Sequence, residues 1–167
     1  MLTGVLYIVA GAAPPVASIS GLITAAQRRG WDVCLITTPT AARWLADDLA
    51  ALATLTGHPV RSAYKLPAEP DVLPPADAML VVPATFNTVN KWAAGISDTL
   101  ALGLINEAIG MGVPVVAVPW VSDPLARHPA LAASIATLRG AGVTVLELSP
   151  RPQPGALPWE QLLDALA

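Results

Sequence analysis

GVLYIVAGAAPPVASISGLITAAQRRGWDVCLITT, residues 4–38, holds the fold in outline. GVLYIVAG (4–11) is apolar, rich in β-formers and closed by a glycine, the pattern of a strand buried on both faces. From about Val16 to Arg29 the period changes. Ile19, Leu22, Ile23 and Ala26 recur at helical spacing, and Gly30 ends the run. DVCLITT (32–38) is a second apolar strand. Strand, helix and strand in so short a span describe a right-handed crossover between parallel neighbours.

The alternation continues along the chain. Residues 39–55 read as a second helix with Pro39 in its first turn, and residues 57–76 as an irregular, proline-rich connection. AMLVVPA (78–84) is a third strand stopped by Pro83, followed by helical runs at about 88–94 and 98–111. VPVVAVPW (113–120) is a fourth strand, 130–139 a helix and VTVLELS (143–149) a fifth strand. A proline-rich passage then leads to a terminal helix, WEQLLDAL. The expected fold is α/β: a three-layer, Rossmann-like (flavodoxin-like) parallel sheet with helices on both faces, in a single domain spanning 1–167.

Charged residues make up only 13% of the chain, against roughly 25% in ordinary soluble proteins. A surface so poor in charge implies that part of it is covered by another copy or by a large ligand. A net charge of −3 with no Lys/Arg run offers no field for nucleic acid. The single cysteine, Cys34, excludes an internal disulfide and fits a buried thiol in a reducing compartment. His58 and His128 have no metal-ligand spacing, so no metal is expected. The apolar start has no basic residue before Arg28, unlike a secretory signal. The apolar run from Thr99 to Val121 carries Asn106 and Glu107, and an ion at that depth in a bilayer costs about 2.5–3.5 kcal/mol. No membrane partner is expected, and the localisation expected is cytoplasmic.

In such sheets ligands bind beyond the carboxyl ends of the strands. After the first strand, Gly11, Ala12 and Ala13 allow close approach to the backbone. After the second, Thr37, Thr38 and Thr40 offer hydroxyls for capping or for a phosphate. After the third, Thr85, Asn87 and Thr88 gather where a helix needs one cap. After the fourth, Ser122 and Asp123 lie beside Trp120. Four such ends on one sheet edge argue for a phosphate-bearing cofactor, with glycosyl, nucleotide and flavin ligands all open at this point.

The order of motifs resembles that of the homo-oligomeric flavin-containing cysteine decarboxylases. PATFNT (83–88) is similar to that family's P-A-S-A-N-T, and KWAAGISDTL (91–100) to its K-x-A-x-G-I-A-D-N-L. The resemblance covers about residues 4–150. It implies FMN as cofactor, with its phosphate near the first two strand loops and Gly11, Ala12, Thr38, Thr85, Asn87 and Thr88 as contacts. It also implies a homotrimer or dodecamer with FMN between subunits, acting on a small-molecule or peptide substrate.

Three positions depart from the family pattern. Glu69 stands where the family's catalytic histidine would fall, and Ser122 in PWVSDPLA (119–126) replaces the asparagine that holds the substrate carboxylate. The segment PQPGALPWEQ, where the family carries a cysteine, has none. Glu69 and Ser122 are therefore the candidate catalytic residues. Three functions follow: a flavin enzyme performing redox or decarboxylation chemistry, a non-catalytic FMN-binding regulatory or assembly subunit, or a nucleotide- or sugar-binding domain without flavin.

Overall fold

The computed structural model describes residues 3–167. Five parallel strands, β1 (Gly4–Ala10), β2 (Trp31–Thr37), β3 (Ala78–Ala84), β4 (Val115–Pro119) and β5 (Thr144–Val145), form one sheet in the order β2-β1-β3-β4-β5. This is the doubly wound order in which the chain leaves β1 in one direction and returns to β3 on its other side, opening a crevice at their carboxyl ends.

Alternate residues of each strand serve opposite faces. Leu6, Ile8, Val33, Leu35, Leu80 and Val116 enter one core, with α1 (Ile19–Arg28), α3 (Leu49–Thr56) and α8 (Trp159–Asp164). Tyr7, Val9, Cys34, Ile36, Val81 and Ala117 enter the other, under α4 (Phe86–Ala93), α5 (Leu100–Met111) and α7 (Pro129–Gly140). Both faces are covered, as the unbroken apolar strands require. α1 buries Ile19, Leu22, Ile23 and Ala26 as its spacing predicts, and Gly30 follows with φ +87°.

Four elements differ from expectation. The helix expected over 39–55 is two, α2 (Pro39–Trp44) and α3, parted at 45–48 where Asp47 and Asp48 favour a cap over a helix interior. Pro83 does not stop β3; the strand runs on to Ala84, and the register with β4 shifts between Val81 and Ala84, where Pro83 has no N–H to give. β5 is two residues rather than seven. Leu146 N–H still reaches the Ala117 carbonyl at 2.9 Å, but β4 ends at Pro119 and the next N–H, of Trp120, turns to Ala84 (2.8 Å). The terminal helix is six residues. It seats Trp159 where Gly21 leaves room on α1, and Arg29 bridges Glu160 and Asp164 beside it.

Among the described residues, no helix is long and apolar enough to cross a membrane. Ile8, fully buried at the centre of the sheet, tests the core. Ile8→Ala should destabilise the fold by about 2–5 kcal/mol, read as a lower midpoint of urea unfolding at unchanged slope.

Candidate functional site

Hydrogen bonds across the strand ends fix the floor of the crevice. Gly11 N–H donates to the Pro83 carbonyl at 2.9 Å, and Thr38 N–H to that of Ala10 at 3.0 Å. A Cβ on Gly11 would stand 2.8 Å from the Pro83 oxygen, so the strands meet here only because residue 11 is glycine. Above this floor opens a cleft of about 710 Å³, walled by Ala12–Pro14 after β1, Thr85–Asn87 after β3, Trp120–Ser122 with Leu125 after β4, and Arg151–Pro154 beyond β5. Phe86, Trp120, Val121 and Leu125 make much of the wall apolar.

The polar cluster after β3 divides into internal and outward duties. Thr85 caps α4, accepting from Thr88 N–H (3.2 Å) and donating to the Thr88 hydroxyl (3.1 Å). Thr88 is buried, and Asn90 accepts from Ser134 of α7 at 2.7 Å. Asn87 is exposed on the cleft wall and makes no hydrogen bond to the described residues. Of the expected contacts, Ala12, Thr85 and Asn87 line the cleft together, while Gly11, Thr38 and Thr88 do not. Thr38 caps α2, accepting from Ala41 N–H at 3.2 Å. Its neighbour Thr37, fully buried at the end of β2, has a hydroxyl with no partner. The close backbone approach at Gly11, beside a largely apolar cleft of this volume, fits a flavin.

The two catalytic candidates part company. Ser122 lines the cleft, and as the residue before α6 (Asp123–Ala126) its hydroxyl caps nothing. Glu69 lies in the exposed connection between α3 and β3, where its carboxylate accepts from Leu66 N–H at 2.7 Å and closes its own turn. It does not line the cleft.

Neither histidine lines the cleft, though the His128 ring packs edge-on against Phe86 of its wall, centroids 5.6 Å apart. His58 Nε2 lies 2.7 Å from an Asp32 carboxylate oxygen, and His128 Nδ1 accepts from Ala130 N–H at 3.1 Å. Burial, with a smaller contribution from Asp32, pushes the Cys34 thiol up to about 12, which leaves it an inert core residue. Among the described residues no three His, Cys, Asp or Glu side chains group as metal ligands.

The Flavoprotein family model matches residues 3–167. The chain belongs to this family. It is 34% identical over 119 residues to the coenzyme A biosynthesis bifunctional protein CoaBC of Mycobacterium bovis, covering 69% of this chain and 27% of that one. It is also 33% identical over 72 residues to a cysteine/cysteine sulfinic acid decarboxylase of an unknown prokaryotic organism, covering 43% of this chain and 19% of the relative. The chain thus spans only about a quarter or less of these curated relatives. The solved structure of the FMN-dependent cysteine decarboxylase SpaF superposes with a TM-score of 0.79 at 18% identity, covering 99% and 98% of the two chains. At that identity the likeness is one of fold, and it agrees with the flavodoxin-like architecture.

Arg151 and Gln153 are cleft residues with little in the sequence to single them out. The available signal was slight: an isolated cation in the proline-stiffened PRPQP, after a strand that proves to be the sheet edge. Gly11→Val should disrupt the floor. Overpacking of about 1–3 kcal/mol is expected, seen by calorimetry as a melting temperature lower by several degrees.

Proposed function

We propose that this flavoprotein binds FMN in the cleft and works on a small thiol-bearing acid or peptide, in flavin-dependent redox or decarboxylation chemistry. The observation that carries the reading is Asn87: the one residue of the PATFNT cluster that faces the cleft without an internal partner, on the wall nearest the Gly11–Pro83 floor. The family, and relatives named as cysteine decarboxylases, support it.

FMN bound here would supply a two-electron acceptor, which no side chain of the cleft provides. The chain's own part is positioning and exclusion of water. Ala12 and Ala13, beside the Gly11 approach, would leave room for a ribityl-phosphate chain at the β1 end. The Asn87 amide offers both a donor and an acceptor to the ring edge or the ribityl hydroxyls. Phe86, Trp120 and Leu125 supply apolar surface that would pack against the ring and displace water from it. The Ser122 hydroxyl is free to donate to a substrate oxygen.

A second reading, a non-catalytic FMN-binding subunit, is favoured by one observation: among the described residues that line the cleft there is no histidine, aspartate or glutamate. Without such a group on the wall, a proton would have to come from the substrate, from water, from another copy or from His128, whose ring packs on Phe86. The two readings separate on anaerobic addition of thiol acids such as cysteine or a peptide ending in cysteine. Bleaching of the bound flavin with release of carbon dioxide supports the enzyme, and stable colour throughout supports the subunit.

The cofactor itself is tested by absorbance and mass of the released chromophore. Flavin bands with the mass of FMN are expected, and a protein that stays colourless after reconstitution with FMN would refute the reading. Asn87→Ala should raise the FMN Kd about three- to tenfold with the melting temperature nearly unchanged.

Self-association into a trimer or larger assembly belongs to the same proposal, as does a reducing, cytoplasmic setting, which the free Cys34 suits. Tyr64, Val72 and Met111 are about half or more exposed around one further cavity between the 61–75 connection and α5, exposed apolar side chains that a second copy would cover. Light scattering should give a multiple of the chain mass, and Met111→Glu should shift it toward the monomer.

A further inference from the structure

Arg151 is the one ionised side chain on the cleft wall among the described residues. Its guanidinium stacks over the Trp120 ring, 5.3 Å from the centroid, and Nη1 donates to the Val121 carbonyl. Asp123, the nearest carboxylate, stands 3.7 Å from Nη2, beyond hydrogen-bond length, and is itself 77% exposed. Such a pair is screened by water and neutralises little of the charge. The ring and the carbonyl thus hold the guanidinium in place while most of its five N–H donors remain without partners. A planar, oriented fork with free donors at the edge of an apolar cleft is the arrangement that takes a carboxylate in bidentate fashion.

The position in the sheet says which anion. Gly11 follows β1 and Thr37 ends β2; neither lines the cleft, whose β1 side is Ala12–Pro14. Arg151, held over Trp120, stands at the end of β4, across β3 from them, and the chain just beyond it returns to the turn after β1, where Gly155 approaches Ser18. A cofactor phosphate at the β1 side leaves Arg151 to the second molecule. The same wall presents the unengaged Ser122 hydroxyl and the exposed Gln153 amide, neutral groups able to donate to the same oxygens.

We propose that Arg151 is the specificity residue of the cleft, selecting substrates that end in a carboxylate. This rests on the flavin reading for the place of the phosphate, and its test is arranged to fail separately. N-acetylcysteine and N-acetylcysteinamide, which differ by one charge, are titrated calorimetrically into the FMN-loaded and the unloaded chain. The wild type should bind the acid about tenfold more tightly than the amide. Arg151→Gln should bring the ratio near one while the FMN Kd changes less than about twofold, and Arg151→Lys should restore part of the ratio.

A ratio unchanged in Arg151→Gln, or absent in the wild type, overturns the proposal. Equal weakening of acid and amide overturns it too, since Arg151 would then only brace the 120–123 loop. A tenfold loss of FMN affinity assigns the cation to the cofactor phosphate and overturns it likewise. Failure of the wild type to take up FMN refutes the flavin reading alone, and the ratio measured on the unloaded chain still decides for or against Arg151.

Discussion

The hydrogen bond from Gly11 N–H to the Pro83 carbonyl is the constraint on which the site depends. It joins the ends of two strands whose following segments lead to opposite faces of the sheet. On one side Val16 and Ile19 enter the core with α1; on the other Val89 and Trp92 enter the core with α4. The crevice exists because these two exits diverge, and it is shallow enough to reach a ligand because a glycine lets the exits begin together. A side chain at residue 11 would push the β1 loop off the Pro83 carbonyl and displace Ala12 and Thr85 from their shared wall.

Much of this architecture was legible in the sequence because it follows from local rules. Strand runs such as 78–84 are apolar throughout, and α1 displays its buried face in the spacing of Ile19, Leu22, Ile23 and Ala26. The shortness of β5 was not legible: VTVLELS has a sound strand composition, and what stops it is Pro119 on its partner, which has no N–H to carry the ladder further. The break at 45–48 was written in Asp47 and Asp48, though weakly beside the helical residues around them.

The site was legible by neighbourhood and less so by residue. The polar cluster of 85–90 stands out in any reading, but which members face inward depends on pairings that spacing does not reveal, such as Asn90 with Ser134, 44 positions away. Thr88 illustrates the difficulty: its hydroxyl satisfies Thr85, so a residue that looks available in the motif is occupied in the fold. Arg151 is the converse. Nothing around it in PRPQP signals a site, and its place over Trp120 arises only when the chain beyond β5 folds back across the loop after β4.

That folding back is held from behind. Trp159 on Gly21, Leu162 and Leu163 in the core, and the Arg29 pairings with Glu160 and Asp164 anchor the chain end to α1, independently of anything in the cleft. The segment from 146 to 158 is therefore tethered at both ends to the sheet layers while its middle meets solvent. The cleft wall it carries is thus set largely by packing outside the cleft.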